Sequence, residues 1–572
     1  MSYIEEYKRW VASPFLSVEG RAELEAIAGD EKEIESRFYS PLQFGTAGLR
    51  GTMAVGLRNM NVYVIRQVTQ AMAQLVIDED SQDRGVAISY DCRHNSELFA
   101  REAARVLAAN GIRVYLFDGM RPTPELSFAV RHYGCIAGIN ITASHNPREY
   151  NGYKAYWEDG AQLPPEYAAS VEKAIAGIDI FTGPKLCDFD KAVRDGLIRL
   201  LGEETDEEFI KNVLIQSIDD APVRRKSDKL RIVYTPFHGA GYRMVPEVLR
   251  RIGYKNILCV GEQMVPDGDF PTVANPNPEF FEGFELAIRL AKESDAGLII
   301  GTDPDCDRVS IVIKDDDGEY VQLSGNQTGV LLLDYIIKAR KAKGVMPRDP
   351  FTVKTIVTTE MARAVSESNG IGMFDTFTGF KFIAEKINEQ EKLGKQCIFS
   401  YEESIGYLIG DHCRDKDAVT ASMLLAEMYA FYAEKGMTLS EALRALYEEH
   451  GAFSEETINV IMPGLDGLEK MNKLMGGLRD GSLTLPGALK AESVRDYLAG
   501  TETWSDGRVT KIEPVGSDVV GFCFEGGSRL MVRPSGTEPK IKFYLLARGD
   551  TMEQAERMRS AMKEFVGSVS GQ

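Results

Sequence analysis

Short apolar runs recur along this chain, each followed by an amphipathic stretch and a second apolar run. Val86-Ala87-Ile88-Ser89-Tyr90 reads as a buried strand, a helix ends at Ala109-Asn110-Gly111, and Ile112 to Phe117 reads as the returning strand. The phrase repeats from Leu230 to Tyr234, with a helix ending at Ile252-Gly253 and a strand Asn256 to Val260. It appears a third time from Thr352 to Val357, with a helix ending near Asn369-Gly370 and a strand Met373 to Thr376. The closing glycine suits a helix C-terminus, where positive φ is needed. Strand–helix–strand with a short return is a right-handed βαβ unit, and three copies predict three related α/β domains in series.

The pattern changes near the C-terminus. Val519 to Phe524 and Leu530 to Val532 read as hairpin strands around Glu525-Gly526-Gly527-Ser528, Ile541 to Leu546 as a further strand, and Met552 to Phe565 as an amphipathic helix. This predicts a smaller α+β domain. The first forty residues read as acidic helices forming an N-terminal arm. The expected boundaries are 1–212, 213–324, 325–452 and 453–572.

Composition narrows the function classes. The 572 residues carry 44% apolar side chains and a net charge of -20. No basic block stands out, which argues against nucleic acid as a partner, and no apolar run is long enough to span a membrane. The acidic start does not resemble a signal peptide. Eight scattered cysteines without a CxxC pair fit reduced thiols in a cytoplasmic enzyme.

Chemistry gathers where apolar runs end. Cys135 to Ile141 leads into Thr142-Ala143-Ser144-His145-Asn146-Pro147. Ligands in open α/β sheets sit at the carboxyl ends of strands, so Ser144 is placed like a nucleophile or phosphate carrier, although Asn-Pro alone is a common turn. Leu298 to Thr302 leads into Asp303-Pro304-Asp305-Cys306-Asp307-Arg308. Three carboxylates at alternate positions suit one hard cation. The EF-hand pattern is excluded, since Arg308 and Lys314 stand where it needs Gly and Glu. Cys397 to Tyr401 leads into Glu402-Glu403-Ser404, acceptors suited to sugar hydroxyls or a solvated acidic pair. Arg533-Pro534-Ser535-Gly536-Thr537 offers a fork and hydroxyls for a phosphate. Phe44 to Gly51 reads as a glycine-rich flexible loop presenting Arg50.

These motifs, in this order, closely resemble the α-D-phosphohexomutases, which include phosphoglucomutases and phosphomannomutases. The resemblance runs from about Phe44 to the end. It implies three α/β domains with mixed sheets and a smaller fourth domain around a central cleft. It implies that phosphorylated Ser144 gives its phosphoryl group to a sugar phosphate, forming glucose 1,6-bisphosphate, and takes the other phosphate back. Glucose 1-phosphate and glucose 6-phosphate would thus interconvert. Mg²⁺ would sit on Asp303, Asp305 and Asp307, with the Ser144 phosphate as a further ligand. Arg50 and Arg308 would neutralise that phosphate, Lys154 would serve as general acid/base or charge stabiliser, and His145 would act beside the nucleophile. Glu402 and Ser404 would read the sugar, and Arg533, Ser535, Gly536 and Thr537 the far phosphate, with Lys381 and Arg414 as further substrate contacts.

The Glu402-Glu403-Ser404-Ile405-Gly406 form resembles the long phosphoglucomutase/phosphopentomutase branch, and Tyr407 stands where other relatives carry His. Phosphomannomutase or phosphopentomutase activity is the alternative. The expected partners are small sugar phosphates, with no nucleic acid or membrane, in a monomer or small homo-oligomer. Two other classes compete. Asp305-Cys306-Asp307-Arg308-Val309 also fits the loose Asp-x-Asp-x-Val pattern of aspartyl-nucleophile phosphatases. A sugar-phosphate-binding regulator would have no use for an intact Ser144 and acidic loop.

Overall fold

A computed structural model describes residues 2–45, 48–462, 467–483, 485–486, 489–535 and 540–570. The chain divides into two compact units. One holds Met1–Gly325 with Ser404–Gly436, the other Asn326–Glu403 with Met437–Gln572.

In the first unit, Val86–Tyr90 and Ala137–Ile141 are buried at every position. They pair in parallel, and Val114–Phe117 flanks Val86–Tyr90, also in parallel. Strands covered on both faces by helices can be apolar throughout, which is why these runs lack alternation. Tyr150–Trp157 then returns antiparallel beside Ala137–Ile141, and Leu49–Thr52 pairs antiparallel with it. Ile198–Leu201 completes a six-stranded mixed sheet. Arg50 therefore lies on a strand rather than in a flexible loop; Thr46 and Ala47 of that segment lie outside the described residues. Gly152 is required behind the Ser144 loop: a Cβ there would stand 2.5 Å from the Thr142 carbonyl oxygen.

The second repeat has the same plan. Arg231–Thr235 pairs in parallel with Asn256–Cys259 and Leu298–Thr302, and Val309–Lys314 returns antiparallel. The third repeat contributes Pro350–Thr355, parallel to Gly372–Thr376 and Gln396–Glu402, in the second unit. The C-terminal domain has more strands than the sequence pattern suggests. Its seven-stranded sheet includes Ala452–Ile461, Ala491–Asp496, Thr501–Trp504 and Val509–Lys511 besides the expected strands. Those extra strands mix polar with apolar residues and are buried only in part, so they lack an apolar run.

The N-terminal helices are not an arm. Trp10 is fully buried and packs edge-on against Phe38, Tyr63 and Phe181. Its contribution is that of a core aromatic. Among the described residues, no helix is long and apolar enough to cross a membrane.

Two stability outcomes are expected. Trp10→Ala should cost about 3–5 kcal/mol in chemical denaturation. In the second unit, Glu455 is half-buried with its carboxyl turned inward, where it accepts a hydrogen bond of 2.6 Å from Asn326. Burial pushes its carboxyl up to about 7, against the opposing pull of Thr359, Asn326 and Lys354. A carboxyl raised in the folded state favours folding most below its unfolded value, and that advantage is lost as pH rises towards the folded one. Glu455→Gln should therefore flatten the fall in stability between pH 4.5 and 7 and stabilise the protein at pH 8, read by denaturant titration across pH.

Candidate active site

The loop leaving Ala137–Ile141 puts Ser144 in the left-handed region, φ 51°. That conformation is costly for a residue with a Cβ, and local bonds hold it. The Ser144 N–H donates to Thr142 Oγ1 at 2.8 Å, and Thr142 Oγ1 donates to Asp91 Oδ2 at 2.6 Å. Asp91 is wholly buried, and burial pushes its carboxyl up despite Arg93 alongside. The Ser144 hydroxyl donates to Asp303 Oδ2 at 2.8 Å and lies 3.1 Å from His145 Nδ1.

Asp303, Asp305 and Asp307 are all buried, with carboxylate oxygens within 4.8 Å of one another. Asp303 Oδ1 accepts from the N–H groups of Asp307 and Arg308, both at 3.0 Å. Asp305 Oδ2 accepts from Thr123 Oγ1 at 2.7 Å and from Lys154 Nζ at 2.7 Å. Asp307 Oδ2 faces Lys154 at 3.2 Å and Lys416 at 3.3 Å. Asp305 and Asp307 are thus paired with lysines, and Asp303 with backbone N–H groups and Ser144, not isolated as the loop pattern alone suggests. Gly239 makes room for the loop: a Cβ there would stand 2.4 Å from Pro304 Cα.

Electrostatics follow from this packing. Burial and the charges of Asp305 and Asp307 push Asp303 up. Burial pushes Asp305 and Asp307 up too, but the facing lysines outweigh it and hold both below the usual range. Burial alone would lower Lys154; Asp305 and Asp307 hold it above the ordinary lysine value. Among the described residues, Asp305 Oδ1 and Asp307 Oδ1 are buried without a hydrogen-bond partner. Two orphaned carboxylate oxygens inside an all-oxygen set fit a hard divalent cation.

Cations gather beside the serine. Arg50 donates to Asn146 Oδ1 at 2.8 Å. Its guanidinium is pushed down by the protein packed round it and by Arg308. His145 is pushed well down by burial, Arg308 and Arg50, so it is neutral at neutral pH. Cationic groups brought close enough to repel one another make a site for an anion next to Ser144.

The structure brings Ser144, His145, Lys154, Arg50, Arg308 and the three aspartates together in the first unit. Lys154 lies on the Tyr150–Trp157 strand, not in a loop. Ser404 also belongs to this unit, where neighbouring Ile405 accepts from the Val309 N–H. Arg414 is buried and donates to the carbonyls of Asp411 and Cys413 at 3.3 Å. Tyr407 is buried and donates to the Gly325 carbonyl at 3.2 Å. In the second unit, Glu402 Oε1 accepts from the Gly379 N–H at 2.7 Å, at the start of the helix that carries Lys381. A carboxylate suits that end of a helix. Arg533 and Ser535 are half-buried, and the Ser535 N–H donates to the Lys540 carbonyl. Gly536 and Thr537 lie outside the described residues.

Sequence reasoning missed Arg93, Asp91, Thr123 and Lys416. Asp91-Cys92-Arg93 follows the buried strand Val86–Tyr90, and the strand-end rule that singled out Ser144 applies to it equally. Lys416 carries no comparable signal, because its loop reaches Asp307 only through the tertiary fold.

Four family descriptions match the chain in order. Phosphoglucomutase/phosphomannomutase alpha/beta/alpha domains I, II and III match residues 41–180, 207–318 and 324–450, and the C-terminal domain matches 458–564. A phosphoglucomutase of Staphylococcus saprophyticus is 36% identical over 519 residues, 90% of this chain and 92% of that protein. One from Staphylococcus aureus is 34% identical over 536 residues, 93% and 94%. Among solved structures, the parafusin phosphoglucomutase of Paramecium aligns with a TM-score of 0.70 at 18% identity, covering 93% of this chain and 95% of that one. A phosphoglucomutase/phosphomannomutase family protein of Burkholderia thailandensis aligns at 0.66 and 18%, covering 92% and 97%. These two structures share the fold. With all four domains matched in sequence and close relatives matched along nearly their whole length, the chain belongs to the phosphoglucomutase/phosphomannomutase family.

Proposed function

We propose that this chain interconverts glucose 1-phosphate and glucose 6-phosphate through phosphorylated Ser144 and a glucose 1,6-bisphosphate intermediate. The observation that carries the reading is the Ser144 hydroxyl held 2.8 Å from Asp303 at the edge of the three-aspartate cluster, with Arg50 and Arg308 beside it.

In the first half-reaction the bond from phosphorus to Ser144 Oγ breaks as a bond to the free sugar hydroxyl forms. The sugar hydroxyl gives up its proton, and Ser144 Oγ takes one. The bisphosphate then presents its other phosphate, and the same steps run in reverse. Phosphoryl transfer depends on positioning and on positive charge around the moving group. A Mg²⁺ ion held by Asp303, Asp305 and Asp307 would act as a Lewis acid towards the phosphoryl oxygens. Arg50 and Arg308 supply fixed charge at the same place. Lys154 keeps its proton at Nζ against Asp305 and Asp307, and we assign it as general acid/base or charge stabiliser, its raised affinity for the proton favouring the second role. Neutral His145 holds the Ser144 oxygen through Nδ1. Glu402, Ser404, Lys381 and Arg414 are assigned to the sugar, and Arg533, Ser535, Gly536 and Thr537 to the phosphate that is not reacting.

An aspartyl phosphatase acting through Asp305 would leave the bond from Ser144 Oγ to Asp303 Oδ2 without a purpose. This favours the serine mechanism over an aspartyl phosphatase.

Ser144→Ala should lower kcat by about four orders of magnitude or more, and mass spectrometry should find acid-stable phosphate on Ser144 of the parent enzyme after glucose 1,6-bisphosphate. Glucose 1-phosphate should lead a rate panel that includes mannose 1-phosphate and ribose 1-phosphate; a faster pentose would move the assignment to the phosphopentomutase branch. Added Mg²⁺ at a hundredfold excess over its Kd should stabilise the protein by about 2.7 kcal/mol. Asp305→Asn should remove that gain in thermal unfolding and abolish turnover.

A further inference from the structure

Arg93 plays no part in the chemistry described above, yet its side chain is fully buried directly beneath the nucleophile loop. Its two terminal nitrogens serve four carbonyls of that loop. Nη1 donates to Pro147 at 2.8 Å and Tyr150 at 3.0 Å; Nη2 donates to Ser144 at 2.6 Å and to Asn146. On the other side, Nε faces Asp91 Oδ2 at 3.3 Å, and the Phe270 ring lies 5.2 Å from the guanidinium carbon. Four carbonyl dipoles aimed at one point would repel one another without a cation between them.

We propose that Arg93 is a positioning residue: its planar fork ties the carbonyls of Ser144, Asn146, Pro147 and Tyr150 to one buried point and so fixes Ser144 Oγ against Asp303. This rests on Ser144 being the phosphoryl carrier.

Three features support the assignment. The clamp grips Ser144 itself, at a left-handed residue that has no glycine to relieve it. It has two arms that meet at Asp91: Arg93 holds the loop's carbonyls, and Thr142 Oγ1, which donates to Asp91, holds the Ser144 N–H. The fork also spends every terminal N–H on the loop. A lysine offers three N–H groups on a tetrahedral centre and cannot reproduce that pattern. Phe270 comes from the second repeat, so the guanidinium is packed from the side of the domain that carries the aspartates.

A misplacement of about 1 Å at the reacting atom can cost roughly a hundredfold in rate. Arg93→Lys should therefore lower kcat about a hundredfold while KM for glucose 1-phosphate stays within about threefold, because the substrate contacts are untouched. Single-turnover transfer from phosphoserine to glucose 1-phosphate should slow by the same factor. In Arg93→Ala, millimolar guanidinium should restore part of kcat and methylammonium should not. Thr142→Val keeps the side-chain volume and removes the second arm; it should lower kcat about tenfold with KM unchanged, and it tests the clamp even if the Arg93 variants fail to fold.

Parent-like kcat in Arg93→Lys and Thr142→Val would overturn the proposal. So would a loss that only tracks the folded fraction, with no response to guanidinium. Ser144→Ala, run alongside, separates the two levels. If it stays active, the phosphoserine reading fails; if it is inactive while the clamp variants are normal, only the role of Arg93 fails.

Discussion

Three carboxylates buried at the end of one strand set the terms for the rest of the first unit. Two unit charges 4 Å apart repel by about 4 kcal/mol at an effective dielectric of 20, so such a cluster exists only if something answers it. Here the answers come from distant stretches of chain. Lys154 comes from the antiparallel return strand of the first repeat, Thr123 from the start of a helix there, and Lys416 from a loop of the third. Each partner ties its own segment to the acidic loop, which helps explain why Ser404–Gly436 belongs with the first two repeats. Breaking any one of these pairs would leave a buried charge unanswered, which costs more than the pair itself contributes. The arrangement that prepares the cluster for a cation also holds the unit together.

The same constraint shapes the loops. Each repeat places its chemistry in the turn after the third strand of its βαβ core. Each of these turns contains a non-glycine residue in the left-handed region: Ser144 at φ 51°, Cys306 at 53° and Ile405 at 56°. A left-handed residue turns the chain sharply, so polar groups can sit over the strand end rather than continue outward into a helix. Glycine would adopt that conformation freely, but it would also let the loop relax. A residue with a Cβ stays there only when its surroundings insist, and for Ser144 those surroundings are Thr142, Asp91 and Arg93. The repeat is therefore one of backbone strain as well as of strand order.

What the sequence discloses follows from these physical facts. Strands buried on both faces, such as Val86–Tyr90 and Ala137–Ile141, stand out as apolar runs, each interrupted by one polar residue, Ser89 or Asn140. Half-exposed strands do not: Thr501–Trp504 and Val509–Lys511 mix polar and apolar residues and look like loop. Tyr150–Trp157 is buried along nearly its whole length yet carries Asn151 and Lys154, polar residues that suggest a surface. The candidate reacting groups are legible because they lie at strand ends in compact motifs. Their partners are not, because pairing is a tertiary fact. Nothing local distinguishes Lys416, which meets Asp307, from Arg414 two residues earlier, which folds back on its own carbonyls. The packing of Trp10 is hidden for a similar reason: an acidic helix looks like an appendage until its aromatic face finds Phe38 and Tyr63.

A chain with net charge -20 that takes an anionic substrate presents an apparent conflict, and distance resolves it. At physiological ionic strength, exposed charges are screened beyond about 8 Å, so the acidic surface weighs little at the serine. What weighs there is local. Arg308 stands close enough to push the Arg50 guanidinium down, and the two arginines together push half-buried His145 down. Such a site is unfavourable by itself, and on the proposed reading a phosphoryl group arriving between the arginines and the acidic cluster would relieve it. That preference for a charged group in transit, set against the scaffold proposed to fix Ser144 from below, would be electrostatic preorganisation of the kind that lowers a phosphoryl-transfer barrier.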